Sequence, residues 1–320
     1  MEKYKNSYEL FIPTKEENEV LHSLDKTYDK VCLMSKEERE YLNGLILRNQ
    51  PKKLLEVGVW EGGSSTIILN AIKNNPESKL FSIDYLEKCL TGGKYYNIGH
   101  IVDFYPYLKN KWTLFTGGLS LKFMEEIGGN IDLCLIDTVH SNPGEILDTL
   151  MILPFLKDDA IIVYHDVNDH TISGKFAECN ALGGFTNNLL FSAVNGKKYI
   201  QGNFVEQSPI PNTDKCYYFP NIGAIKTDSE SKKHIFEIFN LLTLSWTYLP
   251  STGEEKDIIN FFIKYYDEYF VEYIKKVFVY HREYFEHGQD IPPTKYLIRQ
   301  IIKKCLGKKS VQKIRRMKGN

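Results

Sequence analysis

The strongest constraint on this chain lies between residues 51 and about 165, where short apolar strands alternate with helix-forming stretches. Lys53-Leu54-Leu55-Glu56-Val57-Gly58-Val59 reads as a buried strand, and Ser64 to Lys73 as an apolar-periodic helix. Lys79 to Asp84, Trp112 to Thr116, Ile131 to Asp137 and Ala160 to Tyr164 read as four further strands. Strands that are apolar on both faces and separated by helices pair in parallel, with both sheet faces covered. The predicted fold class is therefore α/β: a doubly wound, Rossmann-like, mostly parallel sheet with helices on both faces, plus a helical C-terminal extension.

Punctuation residues set the boundaries. Ser35-Lys36-Glu37-Glu38 is a capping box and predicts a helix to about Arg48, stopped near Pro51. Asn142-Pro143 predicts a helix start, Asn as N-cap and Pro at the first helical position, running to Leu156. Asn221 to Lys226 reads as a strand closing the sheet, and Glu254 to Phe285 as one amphipathic helical stripe. The expected organisation is 1–50 helical and loop, 51–228 ligand-binding domain, 229–290 helical extension and 291–320 basic tail.

Charge excludes a broadly basic nucleic-acid binder. Ten basic residues and no acid lie from Ile291 onward, so the first 290 residues hold 30 basic against 41 acidic side chains. Only the tail could meet an anionic surface, as a short basic amphipathic helix in weak contact with a membrane. The six cysteines are scattered without a C-x-x-C pair, which argues against structural zinc and a disulfide framework. A polar N-terminus and a longest apolar run of seven residues, Leu150 to Leu156, give no secretion or membrane signal, and a cytoplasmic location is expected.

In a doubly wound sheet, ligands bind outside the carboxyl ends of the strands. At the first such end, Gly58 permits a tight turn, and Gly62 and Gly63 let backbone approach a ligand at the helix start. Asp84 closes the second strand, where an acid suits the hydroxyls of a ribose. Taken singly, each is also an ordinary strand-end feature; together they point to a nucleoside cofactor.

The stretch Leu55-Glu56-Val57-Gly58-Val59-Trp60-Glu61-Gly62-Gly63-Ser64 resembles the class I S-adenosylmethionine-dependent methyltransferases, and not the G-x-G-x-x-G of dehydrogenases. Within that superfamily it is similar to the small-molecule O-methyltransferases, including the catechol type and the sugar and macrolide-sugar enzymes. Ile136-Asp137-Thr138-Val139-His140 and Tyr164-His165-Asp166-Val167 are similar to their I-D-x-x-H and H-D-V segments. Asp158-Asp159 departs from the glycines usual before strand five.

The resemblance implies that Glu56, Gly58, Trp60, Gly62, Gly63 and Ser64 line the methionine part of the cofactor. It implies that Asp84 holds the ribose, that Gly118, Leu119 and Ser120 border the adenine, and that Asp137 also meets the cofactor. Asp137, His165 and Asp166 fall where catechol-type enzymes place metal ligands, for Mg²⁺ or another divalent cation; carboxylates suit Mg²⁺ better than imidazole does. His140 falls where those enzymes keep a basic residue near the acceptor hydroxyl, so His140 and Asp137 are the expected catalytic residues. His100, Asp103 and Tyr105 are weaker candidates for substrate contact.

The expected function is thus S-adenosylmethionine-dependent O-methyl transfer to a small acceptor, a sugar or glycoconjugate precursor, in a chain that could self-associate through its C-terminal helices. Two alternatives stay open here: an NAD-dependent oxidoreductase, and a methyltransferase-like scaffold without activity.

Overall fold

A computed structural model describes residues 13–24, 34–139, 141–167, 186–200 and 221–285. His140 and the basic tail 291–320 lie outside the described residues. The five expected strands form as β1 (Lys53–Val57), β2 (Lys79–Asp84), β5 (Trp112–Thr116), β6 (Ile131–Ile136) and β7 (Leu156–His165). They pair in parallel in the order β5-β2-β1-β6-β7. β9 (Ile222–Lys226) then runs antiparallel to β7, and β8 (Lys197–Ile200) antiparallel to β9, giving seven strands in the order β5-β2-β1-β6-β7-β9-β8.

The two-residue period of the strands explains why they read as continuous apolar runs. Leu54, Leu133, Leu135, Ile161 and Val163 join one core cluster, and their neighbours Leu55, Cys134, Ile136, Ile162 and Tyr164 join the other. The first cluster is covered by α1 (Lys15–His22), α2 (Lys36–Asn49) and α3 (Gly63–Ile72). The second is covered by the short α4 (Met124–Ile127), α5 (Gly144–Ile152), α6 (Thr186–Ala193), α7 (Phe236–Leu241), α8 (Thr252–Tyr265) and α9 (Glu268–Glu283). The flanking helices α2, α8 and α9 therefore share the core of the sheet, so the described parts of the expected N-terminal and C-terminal regions are layers of one packing unit.

The capping box at Ser35 and Glu38 forms as expected, with both reciprocal bonds present. Four other expectations change. The stripe from 254 to 285 is two helices, because Asp267 caps α9 by accepting from Phe270 N at 3.2 Å and turns the chain after Tyr265. α5 ends at Ile152, where Leu153-Pro154-Phe155 forms a 3₁₀ turn, and β7 starts at Leu156 rather than Ala160.

Asn142 is no N-cap. Its side-chain amide donates to Leu241 O and Leu244 O, at 3.2 and 3.0 Å, and its backbone carbonyl accepts from Thr247, so it anchors the C-terminal region to the strand-end loop. The segment after β2, for which no element was expected, contains a hairpin, β3 (Lys88–Thr91) and β4 (Lys94–Asn97), turned at Gly92-Gly93. That two-glycine turn was a readable hairpin signal. Among the described residues, no helix is long and apolar enough to cross a membrane.

Candidate active site

The carboxyl end of β1 is built around Glu56. The side chain is fully buried, and its oxygens accept from Ser64 Oγ at 2.6 Å, Ser65 Oγ at 2.6 Å and Ser82 Oγ at 2.7 Å. Burial pushes its carboxyl up to about 7, against the opposing pull of the three serine hydroxyls. Glu56 and Ser64, both expected to line a ligand, bond each other inside the fold. Their part is to tie α3 and β2 to the end of β1.

Gly58 follows at φ 90°, its N–H donating to Ile83 O at 2.9 Å. A Cβ there would lie 1.8 Å from the carbonyl oxygen of Asp137, so only glycine lets β1 and the end of β6 approach this closely. Trp60 takes φ 50°, unusual for a bulky residue, and stays 43% exposed at the turn. Gly62 is the N-cap of α3 and carries no side chain to occupy the helix terminus, and Gly63 opens the helix.

Asp84 caps this turn from β2. One oxygen accepts from Val59 N and Trp60 N, both at 2.9 Å, and the other from Leu86 N at 2.8 Å. A carboxylate has about four acceptor sites. Three are taken, so Asp84 cannot take both hydroxyls of a ribose without releasing a turn amide.

Around β5, Gly118 packs under Lys122, Leu119 is partly buried, and Ser120 donates to Asp148. Ser120 is therefore also engaged internally. Asp148 of α5 was missed in the sequence, although an acid in the middle of a mostly apolar helix is a signal. Burial pushes its carboxyl up to about 6, with Ser120 pulling it down.

Asp137, His165 and Asp166 meet at the adjoining ends of β6 and β7, each offering one ligand atom with all three within 4.8 Å of one another. His165 Nδ1 lies 3.6 Å from Asp137 Oδ2 and 3.3 Å from Asp166 Oδ1. Asp166 sits at φ 58°, a strained position for a non-glycine residue. It is held by Asn221 Nδ2 at 2.5 Å, while Asn187 and Asn188 donate to the carbonyls of His165 and Val167.

Burial pulls the His165 imidazole down, but Asp166 and Asp137 outweigh it and hold the ring well above its ordinary range. Both ring nitrogens are buried with no hydrogen-bond partner among the described residues. An orphaned imidazole between two carboxylates is a donor set that fits a divalent cation.

Glu38 of α2 stands behind His165, its Oε2 3.6 Å from Nε2. The sequence showed Glu38 only as a capping residue; its second contact is between elements far apart in the chain. Of the weaker candidates, His100 lies beside the glycine turn, since Gly99 N donates to Trp60 O at 2.8 Å and Ile101 N to Glu61 O at 2.9 Å. Tyr105 is buried and donates to Leu24 O at 2.5 Å, Asp103 pairs with Lys109 at 2.6 Å, and His100 stacks on Tyr96 at 4.5 Å.

A parallel sheet with a glycine turn after its first strand and an acid closing its second is a Rossmann-like arrangement, in which ligands bind outside the carboxyl ends of the strands. Residues 55–167, about a third of the chain, match the family described as methyltransferase domain. The matched segment runs from β1 to just past the end of β7 and so takes in both the glycine turn and the Asp137–His165–Asp166 cluster.

No curated protein matches the chain. Among solved structures it is similar to the O-methyltransferase TomG from Streptomyces achromogenes, involved in tomaymycin synthesis and solved with S-adenosylmethionine. That pair shares 14% identity over 68% of this chain and 93% of the other, with a TM-score of 0.43. An O-methyltransferase from Bacillus cereus, in complex with S-adenosylhomocysteine, shares 13% identity over 68% and 94%, with a TM-score of 0.44. A Podospora anserina methyltransferase bound to the same product shares 15% identity over 68% and 89%, with a TM-score of 0.40.

Proposed function

We propose that this protein transfers the methyl group of S-adenosylmethionine to a hydroxyl of a small acceptor, a sugar or glycoconjugate precursor. The observation that carries this reading is the Asp137–His165–Asp166 cluster, set against the glycine turn through the contact between Gly58 and the Asp137 carbonyl. A sugar hydroxyl is a poor nucleophile, and a cation-binding cluster beside the methyl donor's cradle answers that deficiency. Exposed Trp60, Tyr85, Tyr95 and Tyr96 add apolar faces after β1, after β2 and on the β3–β4 hairpin, which suit the C–H faces of a saccharide.

In this reading the bound cofactor supplies an electrophilic methyl, and a divalent cation held by Asp137, His165 and Asp166 would lower the pKa of the acceptor hydroxyl. The chain's own residues position and exchange protons. The turn 58–63 holds the amino-acid end, Asp84 accepts from one ribose hydroxyl, and in-line approach is set by the rigid strand ends. His140, four residues beyond the end of β6 in the sequence, is the proposed base.

Two measurements test the reading. Asp84→Ala should weaken S-adenosylhomocysteine binding in calorimetry by about 1.5–3 kcal/mol, the range for a hydrogen bond to a charged group. Unchanged affinity in a folded variant would remove Asp84 from the cofactor site. With a panel of hydroxylated acceptors, His140→Ala should lower kcat by about 10²-fold while cofactor affinity is kept. Wild-type turnover in that variant would reassign the base.

A further inference from the structure

The metal-ligand reading of Asp137, His165 and Asp166 leaves Glu38 unexplained. It comes from α2, outside the matched methyltransferase segment, and is 1% exposed. Three groups fix it. Oε2 accepts from Ser35 N at 2.7 Å, Oε1 accepts from Asn221 N at 3.0 Å, and its own N–H donates to Ser35 Oγ at 3.2 Å. Its carboxylate faces the Nε2 side of His165 at 3.6 Å, while Nδ1 faces Asp137 and Asp166.

Asn221 joins the two sides. Its backbone N–H bonds Glu38 and its side chain bonds Asp166. A ligating imidazole that donates its other N–H to a carboxylate is fixed in ring orientation and strengthened as a base; Glu38 is the carboxylate on that side of His165, with Oε2 3.6 Å from Nε2. Ligand atoms around a cation with bonds of about 2.0–2.2 Å stand roughly 3.0–3.6 Å apart. The separations of 3.3 and 3.6 Å from Nδ1 to the two carboxylates match that edge length.

Building on the cation-site reading above, we propose that Glu38 is a positioning residue that orients His165 Nδ1 toward Asp137 and Asp166. The resulting one-imidazole, two-carboxylate set selects a first-row transition cation over Mg²⁺. Mg²⁺ takes oxygen donors and keeps its waters, whereas imidazole favours the later first-row metals.

The test uses the full chain, with Co²⁺ and Mg²⁺ titrated by calorimetry and the visible spectrum of bound Co²⁺ recorded. The wild type should bind Co²⁺ more tightly than Mg²⁺, and His165→Asp should shrink that preference. Glu38→Gln should lose roughly 10–100-fold in Co²⁺ affinity and shift the Co²⁺ spectrum. Ser35→Ala removes the helix-capping hydroxyl but keeps the carboxylate, and should retain both affinity and spectrum.

Equal or tighter Mg²⁺ binding by the wild type overturns the proposal, as does unchanged Co²⁺ affinity in Glu38→Gln. An equal loss in Ser35→Ala also overturns it, since Glu38 would then act only through the helix. Binding of S-adenosylhomocysteine, measured without metal, distinguishes failure of the metal site from failure of the cofactor site. If it binds while Co²⁺ does not, this proposal fails and the cofactor reading stands. If it does not bind, the methyl-transfer reading fails and the metal titrations still decide this one.

Discussion

Gly58→Ala should give little or no folded protein. The residue holds φ 90°, which costs an L side chain roughly 1–2 kcal/mol by itself. The larger penalty is steric, because the new Cβ would stand 1.8 Å from Asp137 O and 2.6 Å from Asp137 C, both backbone atoms. Neither can retreat cheaply, since Asp137 N is bonded to Val57 O at 2.9 Å and Gly58 N to Ile83 O at 2.9 Å. Relief requires parting β1 from the end of β6 or from β2, in the centre of the sheet. A loss of more than about 4 kcal/mol is expected, a large share of the 5–15 kcal/mol that holds a typical domain. Gly92→Ala is the control: φ is positive there too, at 56°, but nothing lies within 4 Å of the added carbon. Denaturant melts of the two variants should differ by several kcal/mol, and equal melts would refute the close approach.

Glu56 has the second largest effect, and it carries a pH signature. Glu56→Ala strands three buried hydroxyls, Ser64, Ser65 and Ser82, and opens a cavity, for a loss of about 3–5 kcal/mol. Glu56→Gln keeps the volume and removes the titration. The folded carboxyl is raised from 4.5 to about 7, so the native state binds the extra proton between those values. Stability must then fall as pH rises through that window, by about 3 kcal/mol in all, and is greatest below it. Asp148, raised from 3.8 to about 6, adds a slope of the same sign at lower pH. Chemical denaturation from pH 4 to 8 should show wild type losing stability across the window and Glu56→Gln losing less. Parallel curves would mean that Glu56 is not buried with its proton.

Much of this site was legible in the sequence because its signals are local. A strand that ends in glycine, a helix that opens on Gly62-Gly63 and an acid closing the next strand are short-range patterns. They share one cause: a parallel sheet presents the same end of every strand to one ligand. The capping box at Ser35 and Glu38 was readable for the same reason, since both partners lie within one helical turn. The family resemblance likewise rests on short motifs, and residues 55–167 match it.

Tertiary structure decided what each polar group is free to do. Glu56, Ser64 and Ser120 look like free polar groups in a list of residues, but each bonds a partner brought by another element: β1, β2, α3 or α5. Asp84 divides its acceptor capacity between the turn and any ligand because β2 lies beside β1. Glu38 and Asn221, 183 residues apart, meet over His165 only because α2 and β9 pack at the same end of the sheet. Local backbone preference and hydrophobic period are properties of neighbouring residues, and the sequence alone determined them. Hydrogen-bond satisfaction of a buried group depends on what the whole fold brings to it, and that only the tertiary structure could decide.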